Sequence, residues 1–283
     1  MMKPVYDITP PDMDSIDWLQ CRVVMEVSEH YFLYTILKGK ESVVALKYYS
    51  FPEQSNHPFA DEIYAIVKGD DLLQQRMSEH VVIYNLPENC FIPAEQFNAD
   101  LNRSIIHLLH GDLKEGSILS ERLEGEGVYN IFRVPADIHH FFENHFPQGK
   151  FWHYFSTWMK SLRANEKSMI DLVSVIFYPN NLLVAVNKMG KFQMMQSLQY
   201  QTPEDVAYHL LNIYNQFGFS QEDMPLDIGG MVDVDSSLYE ELLKYFQVIE
   251  KEKLPQGLEL HENFQSFPEH FFSPLLKVAL CVS

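Results

Sequence analysis

The residues best able to do chemistry in this 283-residue chain lie in LDIGGMVDVD, from Leu226 to Asp235. Asp227, Asp233 and Asp235 surround the glycine pair Gly229-Gly230. With Asp171 as a further carboxylate, they could form the magnesium cluster of a ribonuclease H-type nuclease. That chemistry needs carboxylates converging from separate strands and a helix. A plainer account covers the same residues: Asp235 and its neighbouring serines begin a helix, and the glycines make a close strand-to-helix turn. Charge also disfavours the nuclease. With 39 acidic and 21 basic residues, the net charge of −18 repels a phosphate backbone, so nucleic acid is not an expected partner.

Other reactive residues do not assemble into a motif. His139, His140, His145 and His153 are close in sequence but lack HExxH or an HxH-plus-acid spacing, so they are read as polar edges of aromatic helices and a strand, and no metal is expected. Cys21, Cys90 and Cys281 are far apart and odd in number, which fits buried thiols in a reducing compartment. Neither a P-loop nor a local nucleophile signature occurs. No apolar run is long enough to span a membrane. The N-terminal MMKPVYDITPPDMDSIDW lacks a basic-then-apolar leader, and a cytoplasmic location is the expectation.

The elements that would position the glycine pair are legible. Strands are predicted at Leu172 to Phe177, Leu182 to Val186 and Phe192 to Leu198, separated by YPNN and KMGK turns. A helix follows, with Thr202 as N-cap, Pro203 at its first position and Gly218 at its end. Val206, Leu210, Ile213, Tyr214 and Phe217 form its apolar stripe. A strand from Pro225 to Ile228 precedes a second helix with Ser237 and Glu240 as a capping box and Leu238, Leu242, Tyr245 and Phe246 as its stripe. This β-β-β-α-β-α order is ribonuclease H-like.

The same order begins near residue 21. Strands are predicted at Arg22 to Val27, Tyr31 to Leu37 and Val43 to Tyr48, then a loop over 51–57, a helix within 58–77 and a strand from Val81 to Tyr84. Between the copies, Ala94 to His110 reads as a helix with Phe97, Leu101, Ile105 and Leu108 on one face, and Ser117 to Val134 as extended. Helices at Pro135 to Phe146 and Trp158 to Asn165 flank a strand from Phe151 to Phe155. The aromatic run FFENHFPQGKFWHYFSTW reads as core filling rather than a partner surface. Pro268 to Val282 closes the chain as a helix. The expected fold class is α/β with mixed α+β sheets: an N-terminal lobe over 1–165 and a C-terminal lobe over 166–283.

Two such modules in tandem resemble the actin-like ATPase superfamily, distantly the PilM and FtsA proteins. The stretches CFIPAEQF and YNIFRVPADIHHFF resemble a Bacteroidetes family of unknown function with an actin-like fold. The resemblance implies that Ile228-Gly229-Gly230-Met231 stands at the adenosine loop and that Asp171 is the acid nearest the family's second-loop aspartate. It also implies glycine-bearing phosphate loops, which this chain lacks. The corresponding stretches are Glu26-Val27-Ser28-Glu29-His30 and Tyr178-Pro179-Asn180-Asn181. Without glycine, backbone N–H groups approach phosphate poorly, and proline removes a donor. The expectation is therefore a vestigial nucleotide site at Asp171, Gly229 and Gly230, with ATP and magnesium not expected as cofactors. The expected role is a scaffold or adaptor acting through a protein partner; a nucleotide-binding ATPase with divergent loops is the alternative.

Overall fold

The computed structural model describes residues 2–10, 13–39, 41–52, 58–111, 116–165, 167–260 and 262–282. Residues 53–57 of the predicted 51–57 loop lie outside them. Contacts divide the chain into one unit of residues 1–157, 257–265 and 282–283 and another of 158–256 and 266–281.

The first unit starts with β1 (Tyr6–Ile8), β2 (Cys21–Val27), β3 (Tyr31–Lys38), β4 (Ser42–Ser50), α1 (Phe59–Gly69) and β5 (Glu79–Tyr84). Next come β6 (Asn89–Pro93), α2 (Asn102–His110), β7 (Gly116–Leu123) and β8 (Val128–Pro135). After α3 (Ala136–His145) and β9 (Lys150–His153), α4 (Tyr154–Ala164) carries the chain into the second unit. There lie β10 (Leu172–Phe177), β11 (Asn181–Lys188), β12 (Lys191–Gln199), α5 (Pro203–Phe217), β13 (Leu226–Gly230), α6 (Ser237–Leu243) and β14 (Ile249–Lys251). The short β15 (Glu259–Leu260) belongs to the first unit and α7 (Glu269–Cys281) to the second.

Both main sheets have the ribonuclease H-like order. In the first it is β1-β4-β3-β2-β5-β9, with β15 parallel to β4; in the second it is β12-β11-β10-β13-β14. Each is an antiparallel meander whose first strand takes parallel partners on its other side. A third sheet, β6-β8-β7, lies in the first unit.

The repetition reaches individual hydrogen bonds. The Ser28 N–H donates to the Tyr31 carbonyl at 3.0 Å, and the Tyr178 N–H to the Asn181 carbonyl at 2.9 Å, closing the two first hairpins identically. The N–H groups of Phe51 and Tyr200, just past the third strands, bond the His30 and Asn180 carbonyls. Those of Asn85 and Met231, just past the fourth strands, bond the Val27 and Phe177 carbonyls at 2.8 and 2.7 Å. Even the irregularity recurs, with register shifts after Ile36 in β3 and Val186 in β11. On this correspondence Ile83-Tyr84 occupies the place of Gly229-Gly230.

One face of each main sheet packs on a helix of its own unit. Val23, Met25 and Val27 join Ile63, Ile66 and Val67 of α1 in the first core. Val173, Val175 and Phe177 join Val206, Leu210 and Tyr214 of α5 in the second. The capping box of α5 is complete: the Asp205 N–H donates to Thr202 Oγ1 at 3.2 Å, and the Thr202 N–H to the Asp205 carboxylate at 2.9 Å.

Three elements differ from the sequence reading. The predicted 94–110 helix begins only at Asn102, after 3₁₀ turns at Ala94–Gln96 and Ala99–Leu101. Asn98 accepts the Asp100 N–H and Phe97 stacks on Tyr129, holding the chain out of helix. The helix buries Asn102 and Ile106, which leaves Leu101 50% and Leu108 84% exposed. In α6 the cap is Ser236, whose Oγ accepts the Tyr239 N–H, and Tyr245 beyond its end is exposed. The strand predicted at 151–155 ends at His153, and α4 starts four residues before the predicted Trp158. The aromatic run does fill core: Phe142, Phe146, Tyr154, Phe155 and Trp158 are buried.

Candidate functional site

The second unit places the glycine pair at the C-terminal end of β13, where Ile176 pairs with Gly229 and Phe177 with Gly230. Gly230 has φ +83°, and a Cβ there would stand 2.3 Å from the Phe177 carbonyl oxygen. Its glycine is therefore dictated by backbone contact with β10. At Gly229 a Cβ would lie 2.7 Å from Glu252 Oε2 and 3.1 Å from Pro274. Both glycines already face protein atoms.

Glu252, which the sequence reading did not single out, is buried just past β14. Its carboxylate accepts the Ser273 hydroxyl at 2.9 Å and pairs with Lys277 at 2.9 Å, and its N–H bonds the Ile228 carbonyl. Thus α7 supplies the partners of a carboxylate held against Gly229. The spacing of Ser273 and Lys277, one turn apart within the mostly apolar stretch 271–280, is the sequence signal that points to it.

Asp171 is elsewhere. It precedes β10, whereas the glycine pair flanks that strand's last residues. Six residues of extended chain separate their levels, about 20 Å at the usual strand rise. The structure does not bring Asp171 together with Gly229 and Gly230. Its carboxylate accepts the Met189 N–H at 2.5 Å, bracing the β11–β12 turn, where Met189 has φ 54°.

Nor do the three aspartates around the glycines converge. Asp227 is buried and bonded to Lys167 at 2.5 Å and Ser174 at 3.1 Å. Asp233 accepts the Asp235 N–H in the turn before α6. Among the described residues no group of three His, Cys, Asp or Glu is placed to hold a metal ion. His139, His145 and His153 have protein partners: His139 bonds Tyr84, His145 stacks on Phe141, and His153 donates from Nε2 to the Leu86 carbonyl while Nδ1 accepts the Phe155 N–H.

The first-unit hairpin turn has its own polar brace. Glu26 is fully buried and accepts Tyr31 Oη at 2.6 Å and Asn85 Nδ2 at 2.8 Å. In the turn itself, burial pushes the Glu29 carboxyl above the usual range, and the charge of Glu88 adds to the shift. The His30 N–H turns back to Ser28 Oγ at 3.4 Å.

A family of proteins of unknown function, DUF3822, matches residues 11–249. The chain belongs to that family. No curated protein matches it. Among solved structures it resembles a Bacteroides thetaiotaomicron protein with actin-like ATPase fold and unknown function, at TM-score 0.74 and 16% identity over 92% of this chain and 98% of that one. It also resembles a chain of the PilM-PilN type IV pilus biogenesis complex, at TM-score 0.57 and 11% identity over 92% and 96%. At these identities the likeness concerns fold, and the family member described here has the actin-like ATPase fold. No helix among the described residues is long and apolar enough to cross a membrane.

Proposed function

We propose that this family member is a non-hydrolysing scaffold that retains the actin-like architecture and acts through protein–protein contacts. The observation that carries the reading is the pair of hairpin turns at the phosphate-loop positions. Each is closed onto itself by a backbone hydrogen bond, Ser28 to Tyr31 and Tyr178 to Asn181, and neither contains glycine. A phosphate cradle needs several N–H groups converging on one concavity. Here His30 directs its N–H to Ser28, Pro179 has no N–H, and Glu29 brings a carboxyl into the first turn.

These residues do not fit a magnesium-bound triphosphate. The glycine pair does not restore the fit, because Glu252 and Pro274 stand against Gly229 and Phe177 against Gly230. Asp171, at the other end of β10, is engaged with the β11–β12 turn.

Thermal unfolding with millimolar Mg-ATP, Mg-ADP or adenosine tests the proposal, since a ligand selective for the folded state raises Tm. An unchanged Tm with all three is expected. A clear rise with Mg-ATP overturns the scaffold reading in favour of a divergent ATPase.

A further inference from the structure

Away from the glycine pair, the first unit contains a cleft of about 810 Å³ between its N-terminal segment and the turn after α1. That volume lies in the range of sites that enclose a small molecule or a few side chains. Its floor is made by the buried Tyr49 and Asp70 and the half-buried Lys47. Met13, Ile16 and Trp18 form an apolar wall, each half-buried against the main core. Lys3, Asp14 and Asp71 are exposed at the rim.

The floor is locked in place. Asp70 accepts Tyr34 Oη at 2.8 Å, Tyr49 Oη at 2.6 Å and the Leu72 N–H at 3.0 Å. Lys47 pairs with the same carboxylate at 3.2 Å and with Asp7 at 3.7 Å. Hydrogen bonding to Asp70, after burial itself, pushes the Tyr49 hydroxyl well above its ordinary range, so it stays a donor. The Lys47–Asp70 pair is thus charge-balanced and the Asp70 carboxylate saturated, while Asp7 adds a second carboxylate beside Lys47. Among the described residues the unbalanced charge at the rim is acidic, Asp14 and Asp71 outnumbering Lys3, within a chain of net charge −18. An anionic guest meets repulsion there; a cation is steered toward an aromatic and thioether wall that also accepts alkyl carbon.

We infer that this cleft docks a short basic and apolar segment of a protein partner, with its lysine or arginine heads at Asp14 and Asp71 and its apolar side chains on Met13, Ile16 and Trp18. The inference rests on the scaffold reading and names the chemistry of its partner.

The test is fluorescence anisotropy of a short fluorescein-labelled peptide of alternating lysine and leucine, with lysine–serine and glutamate–leucine peptides beside it. Only the lysine–leucine peptide should bind appreciably. The Asp14→Lys/Asp71→Lys protein should bind it about tenfold more weakly. The Glu95→Lys/Glu124→Lys protein, which makes the same net-charge change outside the cleft, should bind as the parent does, and circular dichroism confirms that each variant is folded. Equal weakening in both double variants, equal binding of the lysine–serine peptide, tight binding of the glutamate–leucine peptide, or no binding at all overturns the inference. Melting the same samples with Mg-ATP keeps the two ideas apart: a Tm rise overturns the scaffold reading, whereas absent peptide binding without a Tm rise overturns only the cleft.

Discussion

At Met189 the backbone enters the left-handed region, φ 54°, with a side chain 82% exposed. A non-glycine residue there costs about 1 kcal/mol, and nothing in the side chain's burial offsets it. The Asp171 carboxylate holds the conformation through the Met189 N–H. Met189→Gly should therefore raise stability by up to about 1 kcal/mol in urea unfolding, while Asp171→Ala should lower it by a similar amount without altering nucleotide response. His153 acts oppositely with pH. Burial pushes its imidazole from 6.5 down to about 4, so between those values the unfolded chain binds a proton that the folded chain does not. The associated stability is fully present above pH 6.5 and is lost as pH falls toward 4, about 3 kcal/mol in all. Urea unfolding across that window should show a shallower acid decline for His153→Gln than for the parent; parallel declines would remove His153 from the account.

The strand β13 decides how its two glycines differ. Ala at Gly230 meets backbone atoms of β10 at an unfavourable φ, whereas Ala at Gly229 meets a carboxylate tip and a proline ring. Gly230→Ala should cost more than about 4 kcal/mol and Gly229→Ala distinctly less, which thermal melts would rank. Equal losses would mean that the Glu252 and Pro274 side is as rigid as the Phe177 backbone. The meanders were legible because apolar, β-branched runs are separated by turn residues, and α1 and α5 because their apolar residues recur at helical spacing. Thr202, Pro203 and Gly218 each stand where α5 uses them. The α2 stripe was misread because spacing reveals a face but not what lies opposite it: Ile106, not Leu108, meets protein. At the candidate site the glycines were visible, but their occupants were not. Glu252 and Pro274 approach Gly229 from elements more than 20 positions downstream, contacts that no local pattern encodes. Asp171 was misplaced for the related reason that position along a strand, not proximity in sequence to its start, decides which end of the sheet an acid serves.

Across the whole molecule, the last stretch of chain completes both units. Residues 257–265 belong to the first, where β15 pairs with β4 and Asn263 donates to the Thr9 carbonyl at 3.1 Å. Residues 266–281 belong to the second, where Leu275, Leu276, Val278 and Ala279 of α7 are fully or almost fully buried. Truncation after Gln256 would remove from the first unit a two-residue edge pairing, the Asn263 hydrogen bond to Thr9 and the buried side chains of Phe264 and Val282. From the second it would remove a buried helix and the partners of Glu252, leaving a carboxylate that is 4% exposed without Ser273 or Lys277. Stripping the partner from a buried charge costs about 3–5 kcal/mol, to which the lost apolar burial adds, so the deficit falls on β13 and β14. Amide exchange on the truncated chain should therefore show protection lost first in β13, β14 and the β10 residues paired with them, with β2, β3 and β5 retained. Because exchange reports local opening free energies element by element, uniform loss in both units would instead mean that the two cores stand or fall together. A Glu252→Gln change in the truncated chain should recover part of the second unit's protection, since it removes the stranded charge while keeping the side chain's shape.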